Sequence, residues 1–157
     1  MRPLASVAAA AAALLLAAAF PVPATAGPEE EVEAALQAWA EAYAARDGAR
    51  SAAAYAPDAR LWGTNAREQS VGREAIAGYF ASTARGMRSR AVEFGERATR
   101  VFGDAAAVSS GRCDFRRVRE DGAPADIPGR FSMALARQPD GRWLIVDHHS
   151  SPLPAGQ

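Results

Sequence analysis

Gly141-Arg-Trp-Leu-Ile-Val-Asp-His-His-Ser-Ser-Pro-Leu-Pro154 is the stretch from which the rest of the chain can be placed. It leaves a turn at Pro139-Asp140-Gly141 and runs through Trp143, Leu144, Ile145 and Val146 without alternation. Four bulky residues in a row predict a strand buried on both faces, hence a central one. The run then stops at Asp147-His148-His149-Ser150-Ser151, which holds the only two histidines of the protein. Side chains on a strand alternate, so Asp147 and His149 should point to one face and His148 and Ser150 to the other. One imidazole can then enter a cavity while its neighbour enters packing or an interface. A packed core histidine and a ligand or proton-transfer histidine both fit this pattern. A metal site fits poorly, because adjacent strand residues diverge and no further Cys/His cluster completes a ligand set.

Upstream of this strand the pattern remains β. Val92 to Phe102, Ala105 to Val118 and Ile127 to Gln138 are separated by Gly103-Asp104, by Glu120-Asp121-Gly122-Ala-Pro124 and by the turn before Arg142. Connections this short predict antiparallel hairpins between neighbours. Before them the period is helical. Val32, Leu36, Trp39 and Tyr43 form one stripe behind Glu29-Glu30-Glu31, with Asp47-Gly48 as the expected end. A short helix from Ala49 to Tyr55 should stop at Ala56-Pro57, since the residue before a proline disfavours helix. Asp58-Ala-Arg-Leu-Trp-Gly-Thr64 reads as a short strand with Arg60 and Trp62 opposite Leu61. Asn65 to Ser70 reads as a loop, and Ile76, Tyr79, Phe80 and Thr83 mark a third helix. Three helices leading into a meander predict an α+β domain.

The first 26 residues read as a processing signal. Arg2 is the positive end, Val7 to Phe20 is an almost pure Ala/Leu run, and Ala24-Thr25-Ala26 is a small-residue cleavage site. Cleavage after Ala26 and export to the periplasm or beyond are expected, with no membrane span left after processing. Residues 27–157 suffice for one domain with one core. Every basic residue is arginine, and from Gly27 onward the balance is one net negative charge, which does not suggest nucleic-acid binding. Cys113 has no internal disulfide partner, so the domain must stand on packing.

Polar residues on an otherwise apolar strand are candidates to line a cavity between sheet and helices. Arg112 sits mid-strand beside Ser110 and Gly111, and Arg130 just before Phe131. A deep arginine in such a place is an anion clamp, whereas a shallow one is a surface charge. Tyr55, Tyr79 and Trp62 offer phenols and an indole.

The order of helix, short helix, Tyr55-Ala-Pro-Asp-Ala-Arg-Leu-Trp-Gly-Thr64, Gly72 to Phe80, and a meander ending in Val146-Asp-His-His-Ser-Ser-Pro152 resembles the nuclear-transport-factor-2-like superfamily. Within it the chain is most similar to exported bacterial proteins of the SgcJ/EcaC type, themselves similar to the association domain of calcium/calmodulin-dependent protein kinase II. The likeness covers essentially all of residues 27–157. It implies a cone-shaped α+β fold in which three helices pack on a strongly curved antiparallel sheet enclosing a pocket, and a homodimer or larger homo-oligomer through the sheet. Of the association domain's pocket arginines, Arg112 is the match that carries over. Ser150 stands where the relatives have an arginine, and Arg130 is only nearby. The likeness confers no kinase activity, since no nucleotide-binding glycine loop or kinase motif is present.

The superfamily also contains ketosteroid-isomerase and polyketide-cyclase enzymes. Three readings therefore stand side by side. One is an exported, oligomeric module that binds a small anionic or carbonyl-bearing molecule through Arg112, Arg130, Tyr55, Tyr79 and Trp62. Another is a cofactor-independent acid–base enzyme of the isomerase, cyclase or hydratase kind, using His148 or His149 with Asp147 as the orienting acid. The last is a purely structural oligomerisation domain. None calls for a metal or a cofactor.

Overall fold

Ile145 lies between Tyr55 on one neighbouring strand and Leu135 on the other, so the final strand is central, as its unbroken apolar run predicts. The structure is a computed structural model that describes residues 26–154. The expected signal segment, apart from Ala26, lies outside the described residues. In chain order the elements are α1 (Pro28–Ala44), α2 (Gly48–Ala52), β1 (Tyr55–Trp62), β2 (Ser70–Val71), α3 (Arg73–Ala84), β3 (Met87–Phe102), β4 (Ala106–Arg119), β5 (Ile127–Arg137) and β6 (Trp143–Pro152). One curved, open sheet runs β2-β1-β6-β5-β4-β3, and the helices lie against its concave side.

α1 forms where the stripe predicts. Pro28 occupies the first turn with Glu29, Glu30 and Glu31, a sequence suited to the positive end of the helix. Val32, Leu36, Trp39 and Tyr43 are all buried. Asp47-Gly48 does not end this helix. Ala45 caps it and Arg46 takes a positive φ of 60°, while the Asp47 carboxylate accepts the Arg50 N–H at 3.1 Å and starts α2. Gly48 is needed there because a Cβ would collide with the Ala77 carbonyl of α3.

β1 begins at Tyr55, three residues before its expected start, and includes Pro57. The proline is tolerated because the ladder to β6 shifts register between Tyr55 and Arg60, where its missing N–H is not required. The antiparallel expectation holds for every neighbouring pair but one: β1 runs parallel to β6, which makes the sheet mixed. Tertiary pairing between distant segments set this orientation, which no local turn could announce.

A bulge in β6 decides the site. Leu135 pairs with Ile145, but its neighbour Ala134 pairs with Asp147, leaving Val146 as the extra residue. Beyond it Met133 faces His148 and Phe131 faces Ser150, and all four are buried. Asp147, His149 and Ser151 take the opposite, outer side. α1 is held across the sheet by polar clamps. Glu31 accepts hydrogen bonds from Arg137 at 2.5 Å and from the Trp143 indole at 3.0 Å, and Glu33 pairs with Arg97 and Thr99. Among the described residues no helix is long and apolar enough to cross a membrane.

Candidate functional site

The concave side of the sheet leaves a cavity of about 270 Å³ beneath α1 and α3. Its wall is apolar where Trp39, Tyr43, Leu61, Phe80, Phe115 and Ile127 meet, and polar where Thr64, Tyr79, Arg117, His148 and Ser150 reach it. A small volume lined mainly by apolar groups, with few polar ones, is the usual form of a small-molecule site.

His148 is its most informative residue. The imidazole is 2% exposed, with the Trp39 indole edge-on at 5.4 Å between centroids. Nδ1 lies 2.7 Å from the Tyr55 hydroxyl, while Nε2 is buried with no hydrogen-bond partner among the described residues. Tyr55 is itself fully buried, and its hydroxyl hydrogen has no acceptor other than Nδ1 among the described residues. A buried hydroxyl left undonated is costly, so Tyr55 donates to Nδ1. A neutral ring in that arrangement carries its proton on Nε2. Burial pushes the imidazole pKa down to about 3, with the neighbouring His149 acting in the same direction, so the ring is neutral at physiological pH. The result is a fixed, uncharged imidazole in the cavity wall, with its remaining N–H buried.

Burial also holds the phenols in their neutral form. Tyr55 is pushed well above the usual tyrosine range, an effect that the Trp39 indole offsets only in part. Tyr43 and Tyr79 are raised for the same cause. Tyr79 lies over Gly63, where any Cβ would collide with the phenol, so the glycine makes room for this ring. The Ser150 and Thr64 hydroxyls bond to each other at 2.8 Å.

The residues singled out from sequence divide between the two faces of the sheet. His148 and Tyr79 line the cavity, and Tyr55 supports His148 from behind. Asp147 and His149 point outward, so Asp147 does not orient the buried ring; Tyr55 does. Arg112 is exposed on the outer face and is not in the cavity wall. Its ladder partner Arg130 shares that face and donates to Ser151 at 3.1 Å. Trp62, paired with His149, is 41% exposed on the same side. The cavity arginine is Arg117. Alternation along β4 was enough to find it, since Cys113, Phe115 and Arg117 share one face and Arg112 is one residue out of phase with them.

A family model described as a SnoaL-like domain matches residues 32–156. No curated protein matches the chain. Among solved structures, one from Xanthomonas campestris, named for a calcium/calmodulin-dependent protein kinase II association domain, is 30% identical. It superposes with a TM-score of 0.76 over 87% of this chain and 95% of its own. A nuclear transport factor 2-like superfamily protein from Salmonella enterica shares the fold at 23% identity, TM-score 0.70, over 82% of this chain and 94% of its own. So does a ketosteroid isomerase-like protein from Erwinia carotovora, at 19% identity and TM-score 0.67, over 81% and 97%.

Proposed function

The chain belongs to the SnoaL-like domain family of the nuclear-transport-factor-2-like superfamily, and on that footing we propose that it is a non-catalytic binding protein for a small carbonyl-bearing molecule. The observation that carries this reading is Nε2 of His148, a buried nitrogen with no partner among the described residues, on a ring that belongs to the wall of a largely apolar cavity. A carbonyl oxygen that reaches Nε2 after a small shift of the side chains over it would satisfy the donor, while the ligand's apolar body displaces water from Trp39, Phe80 and Phe115. A volume of about 270 Å³ suits a small ligand of one or two rings.

Nothing in the site lends weight to proton transfer. A ring whose pKa lies at about 3 is a weak base, far from the value that suits general-base work near neutrality. The acid expected to orient it is on the other face.

Thermal shift with a panel of small aromatic and alicyclic carbonyl compounds tests the proposal. A ligand at a hundred times its Kd should stabilise the native state by about 2.7 kcal/mol. His148→Phe, which keeps the ring and removes the donor, should weaken binding about ten-fold, the worth of one neutral hydrogen bond. Equal affinity in the variant, or a panel without a single binder, would sink the reading.

Export and assembly belong to the same proposal. Export rests on the amino-terminal sequence, and a mature chain beginning at Gly27 by mass spectrometry is its mark. For assembly, the outer face of the sheet exposes Trp62 and Val108 beside His149 and Arg130, a surface suited to a second copy of this chain. Light scattering should give at least a dimer, and Trp62→Glu a monomer; a parent that is monomeric at high concentration would rule this face out as an interface.

A further inference from the structure

The charge around the cavity is one-sided. Arg117 is the only ionised side chain in its wall among the described residues. Its Nε donates to the Ala125 carbonyl at 2.8 Å, but among the described residues neither terminal nitrogen has a hydrogen bond and no carboxylate lies within salt-bridge distance. Asp126 is close enough that the Arg117 backbone N–H, helped by the Arg117 charge, holds its carboxyl below the usual range, but its side-chain contacts lie away from that guanidinium. It accepts the Arg117 backbone N–H at 2.8 Å and pairs with the exposed Arg116.

Directly across the ladder from Arg117 stands Arg90 of β3. It is 4% exposed, and all of its partners are neutral. Its Nε donates to the Tyr43 carbonyl at 2.6 Å, and Nη1 to the Phe80 carbonyl and the Thr83 hydroxyl, each at 3.0 Å. The guanidinium carbon lies 4.2 Å from the centre of the Tyr43 ring. Nη2 is buried with no partner. Tyr43, Phe80 and Thr83, the three residues that Arg90 grips, all belong to the cavity wall.

Arg117 is only half-buried, but Arg90 is buried, and two arginines on facing positions of a ladder repel each other. The phenols nearby cannot supply the missing negative charge, because burial keeps Tyr43 and Tyr79 protonated. What the site lacks is an anion, and the cavity that Arg117 lines, with Arg90 behind its wall, is where one can enter.

We propose that the ligand of this cavity is a small carboxylate, its anionic group against Arg117 with the Arg90 charge behind, and its apolar body under Trp39 and Phe80. The inference rests on the cavity being a ligand site, as proposed above, and adds the charge class of what it holds. Arg117 is the contact residue and offers the planar donor fork that suits a carboxylate. Arg90, behind the wall, contributes its field and fixes the backbone of Tyr43 and Phe80.

Calorimetric titration with benzoate and with benzamide separates the two claims, since the two probes share size and a carbonyl but differ in charge. The parent should bind benzoate about ten-fold or more tighter than benzamide. Arg117→Gln should bind the two alike, and Arg117→Lys, which keeps the charge, should retain a preference for benzoate. Circular dichroism confirms that each variant is folded before it is titrated. Equal binding of both probes by the parent, or an undiminished preference in folded Arg117→Gln, overturns the anion inference while the ligand cavity stands. Binding of neither probe overturns both.

Discussion

Lowering the pH from 6.5 to 4.5 should reduce the unfolding free energy by roughly 2–3 kcal/mol, and His148→Leu should abolish most of that dependence. The sign follows from the proton count. In the unfolded chain an ordinary histidine titrates near 6.5, whereas the folded ring is held at about 3. Between those values the unfolded state binds the extra proton, so stability rises with pH across the window and is fully present above 6.5. Continued acidification to pH 3 would bring the loss to on the order of 4–5 kcal/mol from this one ring. The window above pH 4.5 isolates it. The carboxylates held below their usual range by arginine or backbone partners, Glu33, Asp126 and Asp140, lose their contribution only at lower pH. Urea unfolding at half-unit pH steps reads the slope directly, and a flat profile in the parent would mean that His148 is not buried in its neutral form.

Trp39→Ala is expected to cost about 3–5 kcal/mol, as large-to-small changes at fully packed aromatic positions do. Trp39 is 1% exposed and joins the helix stripe to the cavity. Its ring lies 5.9 Å from Tyr43, 6.3 Å from Phe80, 6.1 Å from Phe94 and 5.4 Å from His148, centroid to centroid. Its removal takes away the edge that packs on the imidazole and merges its own volume with the cavity, so neighbours can refill the space only in part. A change in urea midpoint equivalent to less than about 1 kcal/mol would contradict this packing. The same variant should lose affinity for any ligand of the cavity, because the wall that shapes it is gone.

What could be read from the chain divides along the line between local and long-range causes. The stripe of Val32, Leu36, Trp39 and Tyr43, the apolar run of Trp143 to Val146 and the glycine turns between strands are local signals, and each element formed where they lie. The opposite facing of His148 and His149 was equally legible, because strand alternation is local. Which of them faces inward was not. That depends on the bulge at Val146, created by the register of β6 against β5, and on the curvature that makes one face concave. The same gap explains Arg112. Its resemblance to a pocket arginine pointed inward, while its position one residue out of phase with Cys113 and Phe115 pointed outward, and the phase prevailed. The parallel pairing of β1 with β6 and the Tyr55–His148 hydrogen bond, the latter between residues 93 positions apart, have no sequence signature of their own. Arg90 escaped notice because a buried arginine bound only to carbonyls, a hydroxyl and a ring face has no acidic partner to betray it.

The ring nitrogens of His148 provide the most direct observation, since the binding proposal depends on a neutral imidazole that bears its proton on Nε2 beside the cavity. ¹⁵N spectra of histidine-labelled protein at pH 6, recorded with and without saturating benzoate and assigned with His148→Leu, should show that tautomer in the free protein and a displaced Nε2 resonance in the complex. A doubly protonated His148 ring at pH 6, a proton on Nδ1 instead, or an Nε2 resonance unmoved at saturation would contradict it.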